Sequence, residues 1–139
     1  MIESVSHRLV YVSSAVELLT EDLLEKILTS SWKNNLNSGI TGVLIYNEGN
    51  LLQVLEGSKK GLHNLYGKIS QDKRHYGCII LQDTPSNTRS FEDWPMGFKS
   101  VNNIEFLQLQ KYWDMRNRNL PLINKEAGNP VRDILNIFV

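Results

Sequence analysis

The sequence predicts an α+β fold in which one β-sheet carries two helices on the same face. The order of the segments along the chain leads to this prediction. Strand-like and helix-like segments follow in the order strand, helix, strand, strand, helix, strand over residues 8–81. Two strand–helix–strand halves joined by right-handed crossovers form a ferredoxin-like βαββαβ sheet with both helices on one face. An extra fifth strand and a C-terminal helical cap are predicted to come after them.

The first strand spans residues 8–14, and its successive side chains point to opposite faces of the sheet. The first helix begins after Thr20, a capping hydroxyl followed by two acids at the positive end of the helix dipole. Apolar residues recur at helical spacing between Leu23 and Ser31, which predicts one buried stripe. Gly39 is a favourable residue for the end of this helix.

The second and third strands form a hairpin over residues 40–57, joined by a polar turn that contains glycine. The residues that point to either face of these strands are apolar. We therefore expect both faces to be covered and the strands to lie centrally in the sheet. Gln53 is the exception, a primary amide within Leu-Leu-Gln-Val-Leu. A buried amide without partners costs about 1–3 kcal/mol. Gln53 is therefore expected to hydrogen-bond to a side chain, a water or a ligand.

Ser58 is predicted to cap the second helix, which has its apolar stripe between Leu62 and Ile69. A short apolar strand at residues 77–81 and a polar loop at 83–90 are expected next.

The fifth strand is expected within residues 91–98, where large apolar residues alternate. Pro95 cannot donate a backbone hydrogen bond, which places this strand at a sheet edge or a bulge. Residues 104–113 and 131–138 are predicted to be helical. We expect one domain, made of a sensor part at 1–100 and the cap at 101–139.

Composition limits the class of protein. The 139 residues suit a single globular domain, and no apolar run is long enough to cross a membrane. The N-terminus lacks the layout of a signal peptide, and the single cysteine, Cys78, cannot form an internal disulfide. These features predict a cytoplasmic protein. The net charge is zero and no Lys/Arg block is present, which argues against nucleic-acid binding.

Several common kinds of site are not indicated. No glycine-rich phosphate loop is present. His7, His63 and His75 are scattered without metal-ligand spacing, so no metal site is predicted. Cys78 lies in an apolar strand and is interpreted as a small core residue. Glu56 is interpreted as a turn residue at a strand end.

The remaining polar residues converge on one region. Tyr11 and Gln53 lie on neighbouring central strands of the predicted sheet, and Asn34 and Asn35 lie at the end of the first helix. Amides offer both donors and acceptors, so this set could surround a flat heterocycle with an imide edge. Apolar walls are expected from Ile27, Leu55 and Ile69, and ribityl or phosphate contacts from Lys68, Asp72 and Arg74. Each residue taken alone is more often structural than functional.

Five motifs, in matching order and spacing, resemble the BLUF (blue light using flavin) family. They are Arg8 to Ser13, Asn34-Asn35 before Gly39 to Leu44, Leu52 to Gly57, Asp72 to His75, and Trp94 to Met96. The resemblance covers roughly residues 8–98. Pro95 departs from the small residue that the family often has, which bears on the mobility of the fifth strand.

The resemblance implies a flavin held non-covalently between the two helices, normally FAD, with FMN or riboflavin as possible substitutes. Tyr11 and Gln53 match the family's photoactive pair, and Trp94 and Met96 match its mobile pair on the fifth strand. Asn35 matches the amide that bonds the flavin C4=O/N3 edge. The residues expected to contact the flavin are Ile27, Ser31, Asn34, Asn35, Gln53, Leu55, Lys68, Ile69, Asp72, Arg74 and His75.

The implied function is that of a blue-light photoreceptor rather than an enzyme. Light-driven electron and proton transfer between Tyr11 and the flavin would rewire the hydrogen bonds of Gln53. The signal would pass through the fifth strand and the cap to a protein partner, because a chain ending at residue 139 has no room for a fused output enzyme. A homo-oligomer is also expected. Two alternatives stay open: a flavin-free interaction module in which Tyr11 alone satisfies Gln53, and a small flavin oxidoreductase.

Overall fold

The structure, a computed structural model, describes residues 6–17, 20–86 and 96–108. Its strands and helices follow the predicted order. They are β1 (Ser6–Ala15), α1 (Glu21–Ser38), β2 (Thr41–Asn47), β3 (Asn50–Gly57), α2 (Lys59–Ile69), β4 (His75–Ser86) and β5 (Gly97–Ser100). Residues 103–108 are also helical.

The strands form one five-stranded sheet in the order β4-β1-β3-β2-β5. β1 pairs antiparallel with β3 and β4, and β2 pairs antiparallel with β3. β5 is added in parallel at the free edge of β2. The first four strands have the ferredoxin-like order, so the predicted α+β fold is confirmed.

The start of α1, its end and the start of α2 lie where their capping residues predict. The Thr20 hydroxyl accepts a hydrogen bond from the Leu23 N–H at 3.2 Å, and α1 ends at Gly39 with φ of 68°. This left-handed conformation costs glycine little. The Ser58 hydroxyl caps α2 by accepting from the Gly61 N–H at 3.0 Å.

The helices pack on one face of the sheet over two apolar clusters. One contains Leu9, Tyr11, Ile40, Leu55 and Leu62, and the other contains Leu44, Tyr46 and Leu51 with Leu28, Met96 and Phe98. The opposite face is also buried, since Val10, Val43, Ile45, Leu52 and Val54 are each 0% exposed. The central strands are therefore covered on both sides, as the hairpin pattern predicted.

Glu56 is not a turn residue. It is paired with Arg8 in the register of β1 and β3, and its side chain is fully buried. Arg8 Nη2 and Nε donate to one carboxylate oxygen of Glu56 at 2.8 and 3.2 Å. Alternation along the strands places this ion pair on the face away from the helices. A buried carboxylate needs such a partner, because burying an isolated charge is costly.

β4 is longer than predicted, so the loop expected at 83–90 is wrong for residues 83–86. The strand continues because it pairs with β1 as far as Ser6, which lies opposite Ser86. Pro85 is accommodated because β4 is an edge strand of the sheet. The pairing slips between Val10 and Tyr11, which forms an irregularity in the ladder.

The described part of the fifth strand is Gly97–Ser100, which overlaps the predicted range of 91–98 and extends two residues past it. It lies at a sheet edge, as expected. Trp94 and Pro95 lie outside the described residues, as does the predicted helix at 131–138. The helix expected from Ile104 is described over 103–108, where Asn102 and Glu105 form a reciprocal capping box with bonds of 2.8 and 3.1 Å. No helix among these described segments is both long and apolar enough to span a membrane.

Gly42 is required by the close approach of β2 and β3. A Cβ atom there would lie 1.9 Å from the Val54 carbonyl oxygen, which belongs to the backbone and cannot rotate away. We expect Gly42→Ala to lower the free energy of unfolding by about 3 kcal/mol or more. Urea denaturation followed by circular dichroism measures this loss.

Gly67→Ala is the matched control. A Cβ atom at Gly67 meets nothing within 4 Å. Because Gly67 is in α2, the change should leave stability equal or raise it by up to about 1 kcal/mol. Equal effects of the two substitutions would contradict the packing argument.

Candidate functional site

A cleft of about 220 Å³ lies between α1 and α2, above the helix-facing side of the central strands. Most of the predicted site residues line it. These are Tyr11, Ile27, Ser31, Asn34, Asn35, Gln53, Lys68, Ile69, Asp72, Arg74, His75 and Met96. The fold thus brings together side chains from both helices and from strands that are distant in sequence.

Two predicted residues are not placed in the cleft. Leu55 is fully buried in the core with Leu9 and Leu62, where α2 covers the sheet, and it does not line the cleft. Its expected position as a cleft wall is therefore corrected. Trp94 lies outside the described residues, so its predicted role stays a prediction.

A chain of hydrogen bonds crosses the floor of the cleft. Tyr11 and Gln53 are paired residues on β1 and β3, and the Tyr11 hydroxyl donates to Gln53 Oε1. Gln53 Nε2 lies 3.5 Å from Met96 Sδ and donates towards it. Tyr11 is 3% and Gln53 6% exposed. The amide therefore joins the centre of the sheet to the residue that precedes β5.

Burial keeps Tyr11 protonated. Desolvation raises the pKa of its phenol well above the usual value of 10.0. The phenol is thus a hydrogen-bond donor at neutral pH. Tyr66 of α2 packs edge-on against its ring, with centroids 5.4 Å apart. This contact holds the Tyr11 ring in place without using its hydroxyl.

The end of α1 presents Asn34 and Asn35 to the cleft. The Asn35 backbone carbonyl accepts hydrogen bonds from the N–H groups of Gly39 and Ile40, which fixes the last turn of the helix. The Asn35 side chain is buried at 2% exposure, whereas Asn34 is exposed. The two amides thus occupy the inner and outer parts of the same wall.

His75 joins three elements at one wall of the cleft. Its Nε2 hydrogen-bonds to the Ile69 carbonyl at 2.5 Å, so this nitrogen carries a proton. Its Nδ1 lies 2.8 Å from the Ser13 hydroxyl. Both ring nitrogens are therefore engaged by protein groups. The geometry gives His75 a place in the cleft wall, tying the end of α2 to β1 and the start of β4.

The charged residues lie at the end of α2. Asp72 accepts hydrogen bonds from the Arg74 backbone N–H at 2.9 Å and from its guanidinium at 2.6–3.1 Å. These bonds lower the pKa of Asp72 from 3.8 to about 2. Within the described segments, Lys68 is the cleft-lining cation that has no carboxylate partner. The positive charge of the cleft is therefore concentrated at Lys68.

Sequence reasoning missed part of the lining, namely Ala15, Ser30, Leu44, Leu51 and Leu65. Leu44 lies directly across from Gln53, and Leu51 is two residues before it on the same face. The register of the β2–β3 hairpin would have identified both residues as neighbours of Gln53. The length of the turn fixes that register, so it was the sequence signal that could have been used.

The cleft fits a flat, partly polar heterocycle. Buried amides provide donors and acceptors at one end, and leucine and isoleucine side chains provide apolar walls. Lys68 adds a positively charged side chain to the cleft lining. Fold and site together define a ferredoxin-like domain with a cleft suited to a flavin, whose ring system has an imide edge and an apolar body.

Comparison with known proteins agrees with this class. A sequence model of the BLUF family, described as sensors of blue-light using FAD, matches residues 7–97. The chain therefore belongs to the BLUF family of flavin-dependent blue-light sensors.

Relatives with named functions are much longer proteins. The alpha subunit of photoactivated adenylate cyclase from Euglena gracilis is 32% identical over 104 residues, covering 73% of this chain and 10% of the relative. The beta subunit from Euglena longa is 32% identical over 99 residues, covering 70% of this chain and 12% of the relative. The chain spans only about a tenth of the length of these relatives.

Solved structures include proteins of similar size. The photo-activated state of BlsA is 30% identical with a TM-score of 0.68, and the match covers 94% of this chain and 92% of that one. The dark state of BlrB, a BLUF protein, is 25% identical with a TM-score of 0.67, and the match covers 99% of this chain and 97% of that one. These neighbours support the ferredoxin-like fold and the family membership.

The Asp72–Arg74 pair should stabilise the protein at neutral pH and lose this contribution only in acid. Because its pKa is depressed, the Asp72 carboxylate contributes stability in full above pH 3.8 and loses it as pH falls through about 2. We expect Asp72→Asn to be less stable than the wild type above about pH 5, with the difference vanishing near about pH 2. Urea unfolding at a series of pH values measures this difference.

The control repeats the comparison in an Arg74→Gln background. Without the guanidinium, the pH-dependent part of the Asp72→Asn effect should largely disappear. A pH-dependent difference of the same size in both backgrounds would show that Arg74 is not its cause.

Proposed function

We propose that this chain binds FAD in the cleft between α1 and α2 and converts blue light into a change in the hydrogen bonds of Gln53. The observation that carries the proposal is the contact chain from Tyr11 through Gln53 to Met96. A bound flavin would supply absorption of blue light and a strong oxidant in its excited state. The subsequent steps depend on the protein groups around it.

The cleft residues divide into three roles. Asn34, Asn35 and Gln53 are proposed to hold the polar edge of the ring through their amides. Apolar contacts to the ring are proposed for Ile27 and Ile69, with Ser31 beside them on α1. Contacts to the ribityl and phosphate groups are proposed for Lys68, Asp72, Arg74 and His75. FAD is preferred to FMN on the family's description as sensors that use FAD.

Tyr11 is the proposed electron and proton donor. Its phenol is protonated, buried and hydrogen-bonded to the amide oxygen of Gln53. The phenolic proton can therefore pass only to a directly bonded acceptor. Gln53 has a donor end and an acceptor end, so rotation or tautomerisation exchanges the partners of those ends. That exchange is the proposed light-induced change.

The change at Gln53 is proposed to reach β5 through Met96. Exchange of the amide ends removes the donor that now faces Met96 Sδ. The described part of β5 pairs with four residues of β2, so a small free-energy change can shift it. Trp94, two residues earlier in the chain, is proposed to exchange places or contacts with Met96 in the same event.

The proposed output is a contact with a downstream protein, and catalysis is not assigned to these residues. Light-regulated cyclases are among the relatives, where the matched region is a small part of each protein. A signalling partner of this chain and its self-association both stay predictions.

The test is the visible spectrum of the purified protein in the dark and after blue light. We expect a flavin spectrum that moves to the red and recovers in darkness. Tyr11→Phe should bind flavin but show no red shift, because the phenolic donor is removed. A normal red shift in Tyr11→Phe would contradict the proposed role of Tyr11.

Tyr66→Phe is the matched control, since Tyr66 packs against Tyr11 but does not line the cleft. It should keep the red shift. A wild-type protein that takes up no flavin would favour the interaction-module alternative. A flavin that only bleaches, with steady turnover of a nicotinamide, would favour the oxidoreductase.

Lys68 should distinguish phosphorylated flavins from riboflavin. Because it is the unpaired cation described at the cleft, Lys68→Ala should weaken FAD and FMN binding by about 2- to 5-fold and leave riboflavin binding unchanged. Titration with flavin-fluorescence quenching measures all three affinities. Lys73→Ala, an exposed lysine outside the cleft lining, is the control. Equal losses for riboflavin and FAD would remove Lys68 from phosphate recognition.

A further inference from the structure

A second cluster of chemistry-bearing side chains lies away from the cleft. His7 of β1, His63 of α2 and Asp83 of β4 come together although 76 residues separate the first from the last. His7 Nε2 hydrogen-bonds to Asp83 Oδ1, and His63 Nε2 lies 2.9 Å from both carboxylate oxygens. None of the three lines the cleft.

We propose that His7, His63 and Asp83 form a binding site for a divalent transition-metal ion, and that zinc is the ion the ligand set fits best. Two imidazole nitrogens and one carboxylate oxygen are a typical zinc donor set, in which water takes the fourth position. Carboxylate-rich sites would instead suit magnesium or calcium.

The ligand atoms are already close to the required geometry. One donor atom from each residue lies within 4.8 Å of the other two. A tetrahedral zinc with bonds of about 2.1 Å needs its ligand atoms about 3.4 Å apart. The hydrogen-bonded pairs would therefore have to move apart to reach this spacing.

Burial divides the ligands into one fixed and two adjustable groups. The His7 side chain is 5% exposed, whereas His63 and Asp83 are 42% and 33% exposed. The two rings are perpendicular, with centroids 5.6 Å apart, so they do not stack against each other. Small side-chain rotations of His63 and Asp83 can bring both to an ion at the His7 Nε2 atom, with one side open to water.

The charge of the cluster suits a cation. Asp83 offers carboxylate oxygens that both imidazole Nε2 atoms already contact. A metal ion would take the place of these hydrogen bonds between the three side chains.

An ion at this site would tie α2 to the β1–β4 edge of the sheet. The three ligands come from three elements: β1 and β4 are paired strands, and α2 is joined to them here by the contact between His63 and Asp83. Because binding favours the folded state, zinc should raise the thermal midpoint of unfolding. This consequence does not depend on flavin, since the site lies outside the cleft.

The test is calorimetric titration of tag-free, chelator-treated protein with zinc chloride at about pH 7.5. We expect saturable binding of one ion per chain. His63→Ala and Asp83→Asn each remove a direct ligand. Either substitution should weaken zinc binding by about 10-fold or more, the usual cost of changes around a metal site. Asn64→Ala, an exposed neighbour of His63 on α2, should bind zinc like the wild type.

Two additional measurements make the outcome decisive. Cobalt in place of zinc should give the intense visible bands of a four-coordinate ion. Circular dichroism of each variant verifies its fold. Absence of saturable binding in the wild type, or unchanged binding in both ligand variants, would overturn the proposal. In the second case the ion belongs to other groups, such as Cys78 and His75.

Discussion

The primary amide of Gln53 is buried in the middle strand of the sheet, so it has to be hydrogen-bonded. The side chains around it supply those hydrogen bonds. Gln53 is 6% exposed and lies between hydrophobic neighbours on β3. Tyr11 satisfies its oxygen from the neighbouring strand, while the nitrogen faces a thioether at 3.5 Å. Sulfur is a weak acceptor. The amide is thus held firmly at one end and loosely at the other, an arrangement that suits the reorientation proposed for Gln53.

The fold was largely predictable because its local signals agree with one another. Thr20, Gly39 and Ser58 mark helix ends by the chemistry of their own backbone and side chains, and the structure has the helices there. The proximity of Tyr11 and Gln53 was predicted from the strand order, since β1 and β3 must be neighbours in a ferredoxin-like sheet. Such features depend on short stretches of sequence or on topology.

The features that could not be predicted depend on register and on contacts between distant segments. Leu55 was expected in the cleft, but the register places it under α2, and Leu44 takes the position beside Gln53 instead. β4 extends past residue 83 because β1 offers it a partner, which no local pattern reveals. The pairing of β1 with β4 also brings His7 next to Asp83. The histidines His7 and His63, far apart in the sequence, are therefore neighbours only in the folded protein.

The two sites occupy opposite ends of the same framework. On β1, His7 lies near the start of the strand, and the cleft residues Tyr11 and Ala15 come later. On α2, His63 likewise comes before the cleft residues Lys68 and Ile69. α2 is thus anchored to β4 near its first turn, and the cleft is formed by its last turns. An ion at the anchored end would restrain α2 without touching the cleft. The rearrangement proposed for Gln53 would then act on β5, which pairs with four residues of β2, rather than on this helix.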